Sequence, residues 1–309
     1  MDGTLLDDEK ELHEHFWPLV DELFARGVLF CPASGRQYAN LYDRFRPVAH
    51  EMVFIAENGA YVLRGTEEIS SDTLDPDLVR RLIEAVGDIA AAGADAHAIV
   101  CGKHAAYFER TGPRVKEQVD MYFASQRMVD DLHDRPDDDI LKIAIYDFGP
   151  AEHSVAPALA TFRGEAQVVV SGAHWVDVMN LSTNKGAGIR HIQDAPGITP
   201  AQTMVFGDFL NDLEMMDAAE YSFAMHNAHP TLRARARYGS SPKASTTRRA
   251  VVSYSSPVPG DFDPAATSVF AVSISGPILG NEAVSWSRTV SQARETAAEL
   301  PRALAGATS

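Results

Sequence analysis

The segment Met204-Val205-Phe206-Gly207-Asp208-Phe209-Leu210-Asn211-Asp212 is the strongest indication of fold class in this chain. Its apolar start is typical of a buried parallel strand, and an acidic loop follows where that strand ends. We predict a strand over Met204–Phe206, a helix over Asn211–Ala218 and a strand over Tyr221–Met225. This alternation indicates an α/β fold with a doubly wound, Rossmann-like parallel sheet, in which ligands bind at the carboxyl ends of the strands.

The same alternation occurs near the start of the chain. Apolar residues recur at helical spacing over 16–24, and Gly27 suits the end of that helix. Val28–Cys31 predicts a buried strand, with Ser34-Gly35-Arg36 beyond its end and a second helix from about Tyr38.

Two further segments extend this pattern. Asn58-Gly59, placed between the apolar runs Phe54–Ala56 and Tyr61–Leu63, predicts a hairpin turn. Later in the chain, a strand over Val176–Met179 and a helix over Lys185–Gln193 indicate that the parallel α/β pattern resumes. The polar segments that follow these strands would then lie at the ligand-binding edge of the sheet.

The middle of the chain, residues 77–178, has a different pattern. Helices are predicted from Leu78 and over Val115–Phe123, and strands over Ala98–Cys101, Tyr107-Phe108, Ile140–Tyr146 and Val168–Ser171. We therefore expect an α+β cap domain over 77–178, inserted between the core segments 1–76 and 179–238. Residues 239–309 are rich in Ser, Thr, Ala and Pro, without a strand–helix rhythm before a helix-like pattern at 287–304. They predict an atypical tail, either partly disordered or a small added subdomain.

The composition is that of an ordinary globular protein. The 309-residue chain is 45% hydrophobic and has a formal net charge of -16. That charge argues against a nucleic-acid or anionic-membrane surface, which needs clustered Lys and Arg. Cys31 and Cys101 offer no disulfide framework, and neither a signal sequence nor a membrane-spanning apolar stretch occurs, so we expect a cytoplasmic protein. The sequence does not indicate an oligomeric state.

Four short segments carry the chemistry. They are the acidic turn Asp2-Gly3-Thr4, the hydroxyl turn Ser34-Gly35, the helix start at Lys185 and the acidic loop Gly207–Asp212. In this order they resemble the four motifs of the haloacid-dehalogenase-like phosphatases. The first motif of that family is Asp-x-Asp-Gly-Thr, and its leading Asp is the nucleophile. Because x is Met1 here, that Asp would stand one residue before Met1, and we expect that the true start lies upstream.

The resemblance implies a Mg²⁺-dependent phosphatase that works through an aspartyl-phosphate intermediate. It assigns Asp2 the role of general acid/base and, through its carbonyl, of metal ligand. Asp208 is the expected side-chain ligand of Mg²⁺, supported by Asp212. Lys185 would be catalytic, since it would steady the phosphate and the nucleophile carboxylate together.

Phosphate binding is implied for a second group of residues. The Ser34 hydroxyl and the Gly35 backbone N–H would bind the phosphate oxygens, with Lys185 and Asn211 completing the site. A hydroxyl turn such as Ser34-Gly35 is common by itself. It becomes specific through its place after a buried strand and behind Asp2-Gly3-Thr4.

Longer segments resemble the class IIB, Cof-type members of the family and, among these, the bacterial sugar phosphatases. They are Ala33–Tyr38, Phe54–Ala60, Ala98–Tyr107, Asn184-Lys185-Gly186 and Tyr221–Met225. The resemblance covers Met1 to about Tyr238 and implies a small phosphorylated metabolite, such as a sugar phosphate, as the substrate. His104 and Tyr107 in the cap are weaker candidates for contacting it.

Two other functions stay open. A catalytically inactive phosphometabolite-binding or regulatory protein would keep the phosphate site and lack the nucleophile. A phosphomutase would need a cap that holds a bisphosphate, for which the sequence offers no clear sign. Beyond Tyr238 the sequence departs from the family pattern, and we hypothesise a frameshift near Ser240. The nucleotide sequence tests both the frameshift and the upstream start.

Overall fold

The computed structural model describes residue 12 and residues 16–194, 197–239 and 268–274. Asp2 and the helix predicted over 287–304 lie outside the described residues. The chain folds into two compact units. The first unit contains the described residues of Met1–Ser34, His50–Val53 and Lys185–Ser309, and the second contains Gly35–Ala49 and Phe54–Asn184. The predicted domain boundaries at 76 and 178 stay a prediction.

Strands and helices are numbered separately, each in chain order. The strands are β1 Val28–Ser34, β2 Val53–Ala56, β3 Tyr61–Arg64, β4 Glu67–Ser71, β5 Ala96–Gly102, β6 Ala106–Glu109, β7 Gln126–Val129, β8 Ile140–Asp147, β9 Ala166–Gly172, β10 Trp175–Asn180, β11 Thr203–Gly207, β12 Tyr221–Ala224, β13 Tyr238–Gly239 and β14 Ser268–Ile274. The helices are α1 Phe16–Ala25, α2 Tyr38–Arg44, α3 Pro76–Ala91, α4 Pro113–Tyr122, α5 Val155–Ala158, α6 Lys185–Asp194, α7 Leu213–Ala218 and α8 Pro230–Arg235.

The first unit contains a parallel sheet. Its strands lie in the order β13-β12-β11-β14-β1, and each neighbouring pair runs parallel. Helices α1, α6, α7 and α8 belong to the same unit. This arrangement confirms the predicted α/β fold with a doubly wound parallel sheet.

Helix α1 and strand β1 show how local sequence builds this unit. Phe16, Leu19, Val20 and Leu23 form one buried face of α1, and burying each contributes about 1.5–3 kcal/mol. The helix ends as predicted, with the Gly27 N–H donating to the Phe24 carbonyl. From Phe30 onward every residue of β1 is buried, as expected of a strand inside a parallel sheet.

Part of the predicted tail is integrated into this sheet. Strand β14 lies between β11 and β1, and its Ala271 pairs with Cys31 on one side and Val205 on the other. Ala271 is fully buried. No strand was predicted for this stretch, and the structure adds one at 268–274. The apolar run Val269-Phe270-Ala271-Val272 is compatible with a buried strand, but such a run does not reveal which strands it pairs with.

The second unit contains a mixed sheet. Its strands lie in the order β7-β6-β5-β8-β10-β9, with β6 and β7 parallel and the other described pairings antiparallel. The buried face of α3 packs in the same hydrophobic cluster as residues of β8. An α+β architecture for the middle of the chain is thus confirmed.

Strand β10 corrects one expectation. We predicted that Val176–Met179 resumes the parallel pattern, but this strand pairs antiparallel with both β8 and β9. Its apolar residues are buried in the second unit. A buried strand has the same apolar character in either sheet, so its sequence does not reveal its partners.

The predicted hairpin turn is a tight loop of unusual backbone conformation. Strands β2 and β3 are neighbours, and Glu57–Gly59 forms a 3₁₀ turn between them. Glu57, Asn58 and Gly59 all have positive φ, of 49°, 57° and 101°. The Asn-Gly pair suits such angles, whereas a left-handed glutamate is uncommon.

Candidate active site

A buried ion pair stands at the start of helix α6. The Nζ of Lys185 lies 2.8 Å from Oδ1 of Asp212, and both side chains have 0% exposure. Lys185 is the first residue of the helix, and Asp212 ends the 3₁₀ turn Leu210–Asp212. Burying a charge is costly unless it is paired, and each of these groups supplies the other with an opposite charge.

Asp212 also orders the loop that follows strand β11. Its Oδ2 accepts hydrogen bonds from the backbone N–H groups of Asp208, at 3.0 Å, and Phe209, at 3.3 Å. Gly207 makes this possible, because a Cβ there would lie 2.8 Å from the Cβ of Asp212. The spacing in Gly207–Asp212 is thus a structural requirement of the loop.

Asp208 lies at the carboxyl end of β11, as predicted. Its residue has 0% exposure. The backbone on either side is held in place, because the Met225 N–H donates to the Gly207 carbonyl and the His229 N–H donates to the Asp208 carbonyl, each at 2.9 Å. A carboxylate is therefore presented by a rigid backbone at the edge where ligands bind in parallel sheets.

Ser34 lies at the same edge of the sheet. It ends strand β1 and pairs with Ile274, while Phe206 pairs with Val272. Continuing the β11 register by two residues brings Asp208 level with Ile274. Ser34 and Asp208 thus flank the end of β14, with about 10 Å between their backbones, since adjacent strands lie about 4.8 Å apart.

The structure therefore brings most of the predicted residues of the first unit together. Lys185, Asp208 and Asp212 form one connected group, and the half-buried Asn211 lies in the same turn as Asp212. Gly35 follows Ser34 directly and belongs to the second unit. Within the described ranges, no three His, Cys, Asp or Glu side chains form a metal-binding group.

One positional expectation is wrong. Lys185 does not follow a strand of the parallel sheet, because the preceding strand β10 belongs to the sheet of the second unit. Lys185 instead enters the site as the first residue of α6. A cation in the first turn opposes the helix dipole, and the carboxylate of Asp212 compensates for this.

Sequence similarity identifies the family. The sequence profile described as haloacid dehalogenase-like hydrolase matches residues 1–246. The chain belongs to this family. Among relatives of this hydrolase, 5-amino-6-(5-phospho-D-ribitylamino)uracil phosphatase of Escherichia coli (strain K12) is 32% identical over 241 residues, which cover 77% of this chain and 87% of that protein. HMP-PP phosphatase of Cronobacter sakazakii (strain ATCC BAA-894) is 26% identical over 238 residues, covering 75% and 84%.

Solved structures show the same fold. A subclass IIB sugar phosphatase of the haloacid dehalogenase superfamily superposes with a TM-score of 0.63 at 21% identity, covering 77% of this hydrolase and 90% of that chain. A haloacid dehalogenase-like hydrolase from Bacteroides thetaiotaomicron has a TM-score of 0.66 at 20% identity, covering 77% and 90%. The predicted resemblance to class IIB, Cof-type phosphatases is confirmed.

The cap candidates His104 and Tyr107 share one partner in this hydrolase. Asp138 accepts from the Tyr107 hydroxyl at 2.9 Å and lies 2.8 Å from the His104 ring nitrogen Nδ1. Burial and this carboxylate raise the pKa of Tyr107 to about 12. Hydrogen bonds from His104 and Tyr107 outweigh burial and lower the pKa of Asp138. Whether either residue contacts a substrate stays a prediction.

A charged cluster that sequence reasoning missed lies in the second unit. Lys142 of β8 is buried beside the carboxylates of Glu57 and Asp177. Burial opposes the charged form of Lys142, but the carboxylates of Asp177 and Glu57 outweigh it and raise the pKa of the ammonium. A lysine within the apolar run Ile140–Ile145 is the signal that could have revealed the cluster, because buried lysines are rare unless paired.

The described part of the chain contains no helix with the length and apolar character needed to cross a bilayer.

Proposed function

We propose that this hydrolase is a phosphatase of small phosphorylated metabolites that works through an aspartyl-phosphate intermediate. One observation carries the proposal. The fully buried Lys185–Asp212 pair, whose carboxylate also holds the loop of Asp208, delivers a fixed cation beside a fixed carboxylate at the ligand-binding edge of a parallel sheet. A phosphate ester needs this combination of neutralising charge and rigid positioning.

Each residue then has a definite role. The Ser34 hydroxyl and the Gly35 N–H donate to phosphate oxygens, Asn211 assists them, and the Lys185 ammonium neutralises charge. A nucleophilic aspartate attacks phosphorus while Asp2 donates its proton to the departing alkoxide. Water then cleaves the aspartyl-phosphate, and Asp2 takes the proton from that water, which restores both carboxyl groups.

The chemistry of the available donors suits Mg²⁺. That ion binds oxygen ligands and is usually held by one or two carboxylates plus waters and substrate phosphate. The buried carboxyl of Asp208 would be one ligand and Asp2 a second. Both oxygens of Asp212 already accept hydrogen bonds from Lys185 and the loop amides, so its direct ligation stays a prediction. When bound, Mg²⁺ would screen the phosphate charge from the carboxylates.

Two versions of the chain test whether an aspartate immediately before Met1 is the nucleophile. One begins at Met1, and the other carries upstream residues that end in Asp immediately before Met1. Both are assayed with Mg²⁺ and an aryl phosphate. We expect the extended chain to hydrolyse the aryl phosphate. We also expect its added aspartate to bind a metal fluoride complex that mimics the phosphoryl group. Absence of hydrolysis by both chains would overturn the proposed phosphatase function.

The substrate class is proposed from the resemblance and from the relatives. The solved subclass IIB relative is a sugar phosphatase, and the relatives from Escherichia coli and Cronobacter sakazakii are phosphatases of phosphorylated metabolites. We propose a sugar phosphate as the substrate. A panel of sugar phosphates and phosphorylated heterocycles, ranked by kcat/KM, tests this, and a preference for the heterocycles would contradict it.

A second function is favoured by strand β14. Its carboxyl end lies between Ser34 and Asp208, and the next residue in sequence, Ser275, is not a carboxylate. A non-catalytic phosphometabolite-binding protein would keep Ser34 and Lys185 without needing a nucleophile. Phosphate binding by the chain from Met1, without hydrolysis by the extended chain, would support this function over the enzyme.

A further inference from the structure

A lysine of the second unit bonds directly to the loop that follows Ser34. The Nζ of Lys142 donates to the Gly35 carbonyl at 2.9 Å. It also lies 2.8 Å from Glu57 Oε2 and 3.6 Å from Asp177 Oδ1. The Lys142 side chain is only 6% exposed, so the carbonyl contact is made away from solvent.

The turn that contributes Glu57 is bonded to the same loop. The Glu57 N–H donates to the Arg36 carbonyl at 3.1 Å. Glu57 and Asn58 are the non-glycine residues with positive φ in the described chain, and they are adjacent. Such angles persist only where surrounding contacts over-determine them, and they cluster at functional sites. The ion pair with Lys142 is one such contact.

Gly35 is confined from a third side. A Cβ on Gly35 would lie 3.0 Å from both polar atoms of the Asn58 side chain, so a larger residue would press on Asn58. The peptide after Gly35 is planar and trans, so holding its carbonyl oxygen also sets the direction of the Arg36 N–H. Lys142, Asn58 and Glu57 together define the backbone of this loop.

We propose that Lys142 is a positioning residue for phosphate binding: by holding the Gly35 carbonyl, it fixes the Gly35-Arg36 peptide and thereby the backbone of the adjoining Ser34-Gly35 turn, whose hydroxyl and amide receive the phosphate. This inference rests on the proposed phosphate site. Glu57 and Asp177 keep the ammonium charged and in place, and the strained turn carries Glu57 to it. Lys142 itself makes no contact with substrate in this scheme.

The test compares Lys142→Met with Ile143→Ala. Ile143 is the next residue of β8, fully buried on the opposite face in the cluster with α3, so its truncation destabilises the unit without touching the loop. Inorganic phosphate affinity is measured by calorimetry, and backbone hydrogen exchange is measured over residues 33–38. We expect Lys142→Met to weaken phosphate binding about tenfold or more, because small misplacements of binding groups are costly. Exchange at Gly35 and Arg36 should accelerate in Lys142→Met but not in Ile143→Ala.

A variant without the three buried charges controls for misfolding of Lys142→Met. Lys142→Met leaves Glu57 and Asp177 buried without a cation, whereas Lys142→Met/Glu57→Gln/Asp177→Asn removes all three charges. The triple variant should fold and still show the faster exchange. Equal effects of Ile143→Ala and Lys142→Met on exchange and phosphate affinity would overturn the inference.

The same measurements distinguish failure of the Lys142 positioning role from failure of the proposed function. If the wild-type chain binds no phosphate but Lys142→Met selectively accelerates exchange over 33–38, the loop-positioning role stands and the proposed function fails. If phosphate binds to wild type and exchange is unchanged in both Lys142 variants, the positioning role fails and the proposed function stands.

Discussion

The ammonium of Lys185 and the carboxylate of Asp212 lie 2.8 Å apart, and neither side chain has any solvent exposure. The two residues come from α6 and from the turn after β11, which are separated by twenty-seven positions along the chain. Their pairing joins the basic and acidic motifs into one group. It also couples the site to the stability of the first unit, because removing one partner of a buried ion pair is strongly destabilising.

Asp212→Ala is expected to destabilise the protein by about 3–5 kcal/mol, because it breaks a fully buried ion pair by removing one partner. Urea unfolding at neutral pH measures the free energy. The double variant Lys185→Met/Asp212→Ala should recover part of the loss. Asp120→Ala, which breaks the exposed pair with Lys116, should leave the unfolding midpoint nearly unchanged. Equal midpoints for Asp212→Ala and Asp120→Ala would contradict the buried pair.

Asp208→Asn preserves shape and removes a charge. If Asp208 binds Mg²⁺ directly, the affinity for the ion should fall by more than about a hundredfold. Loss of a residue that only orients a metal ligand typically lowers affinity by about ten- to a hundredfold. Calorimetric titration with Mg²⁺ measures this without requiring turnover. Asp217→Asn, which disturbs the surface pair with Arg235, is the matched control and should bind Mg²⁺ like the wild type. Unchanged affinity in Asp208→Asn would remove this residue from the metal site.

Ala271→Asp tests the place of strand β14. Ala271 is fully buried between Cys31 and Val205, so an aspartate there should cost about 3–5 kcal/mol of unfolding free energy. The control is Ala90→Asp, on the exposed side of α3. Thermal unfolding compares the two variants with the wild type. If Ala271→Asp and the wild type unfold at the same temperature, β14 does not lie between β11 and β1.

The thiol of Cys31 predicts a pH dependence. Burial raises the pKa of this thiol well above its ordinary value, so the folded state retains a proton that the unfolded chain releases. The associated stability is complete below the unfolded pKa of about 8.5 and is lost progressively as pH rises toward the folded value. The stability advantage of wild type over Cys31→Ala should therefore shrink by about 1.4 kcal/mol per pH unit above that point. Urea unfolding of both proteins at several alkaline pH values measures this difference in unfolding free energy. A difference that stays constant with pH would contradict the prediction.

Local elements were predictable where periodicity is strong. The buried face of α1 and the apolar run of β1 follow from spacing within ten residues. The short strand β4 was not predicted, because its residues are largely polar and mostly exposed, without a clear alternation. Likewise β10 was assigned to the wrong sheet, since apolar character reports burial but not the identity of the neighbouring strand.

Among the site residues, too, some could be predicted from the sequence and others depend on distant contacts. Ser34, Lys185 and Asp208 were predicted as site residues from the resemblance to the family motifs, and their roles stay a prediction. Lys142 was missed because its significance depends on Gly35, 107 positions away, and on a turn whose left-handed backbone is not visible in periodicity. Such long-range contacts are set by burial and charge, which the local sequence window does not contain.

The order of residues alone indicates the helices, the strands and the α/β class, because helix and strand periods and turn preferences act over a few residues. Resemblance of the short motifs to known ones indicates the family of this hydrolase. Tertiary structure alone decides that Lys185 meets Asp212, that Lys142 holds the loop after Ser34, and that β14 lies between Ser34 and Asp208. These relationships arise when distant segments exclude water together, since a buried charge or an unpaired strand edge gains its partner only in the folded chain.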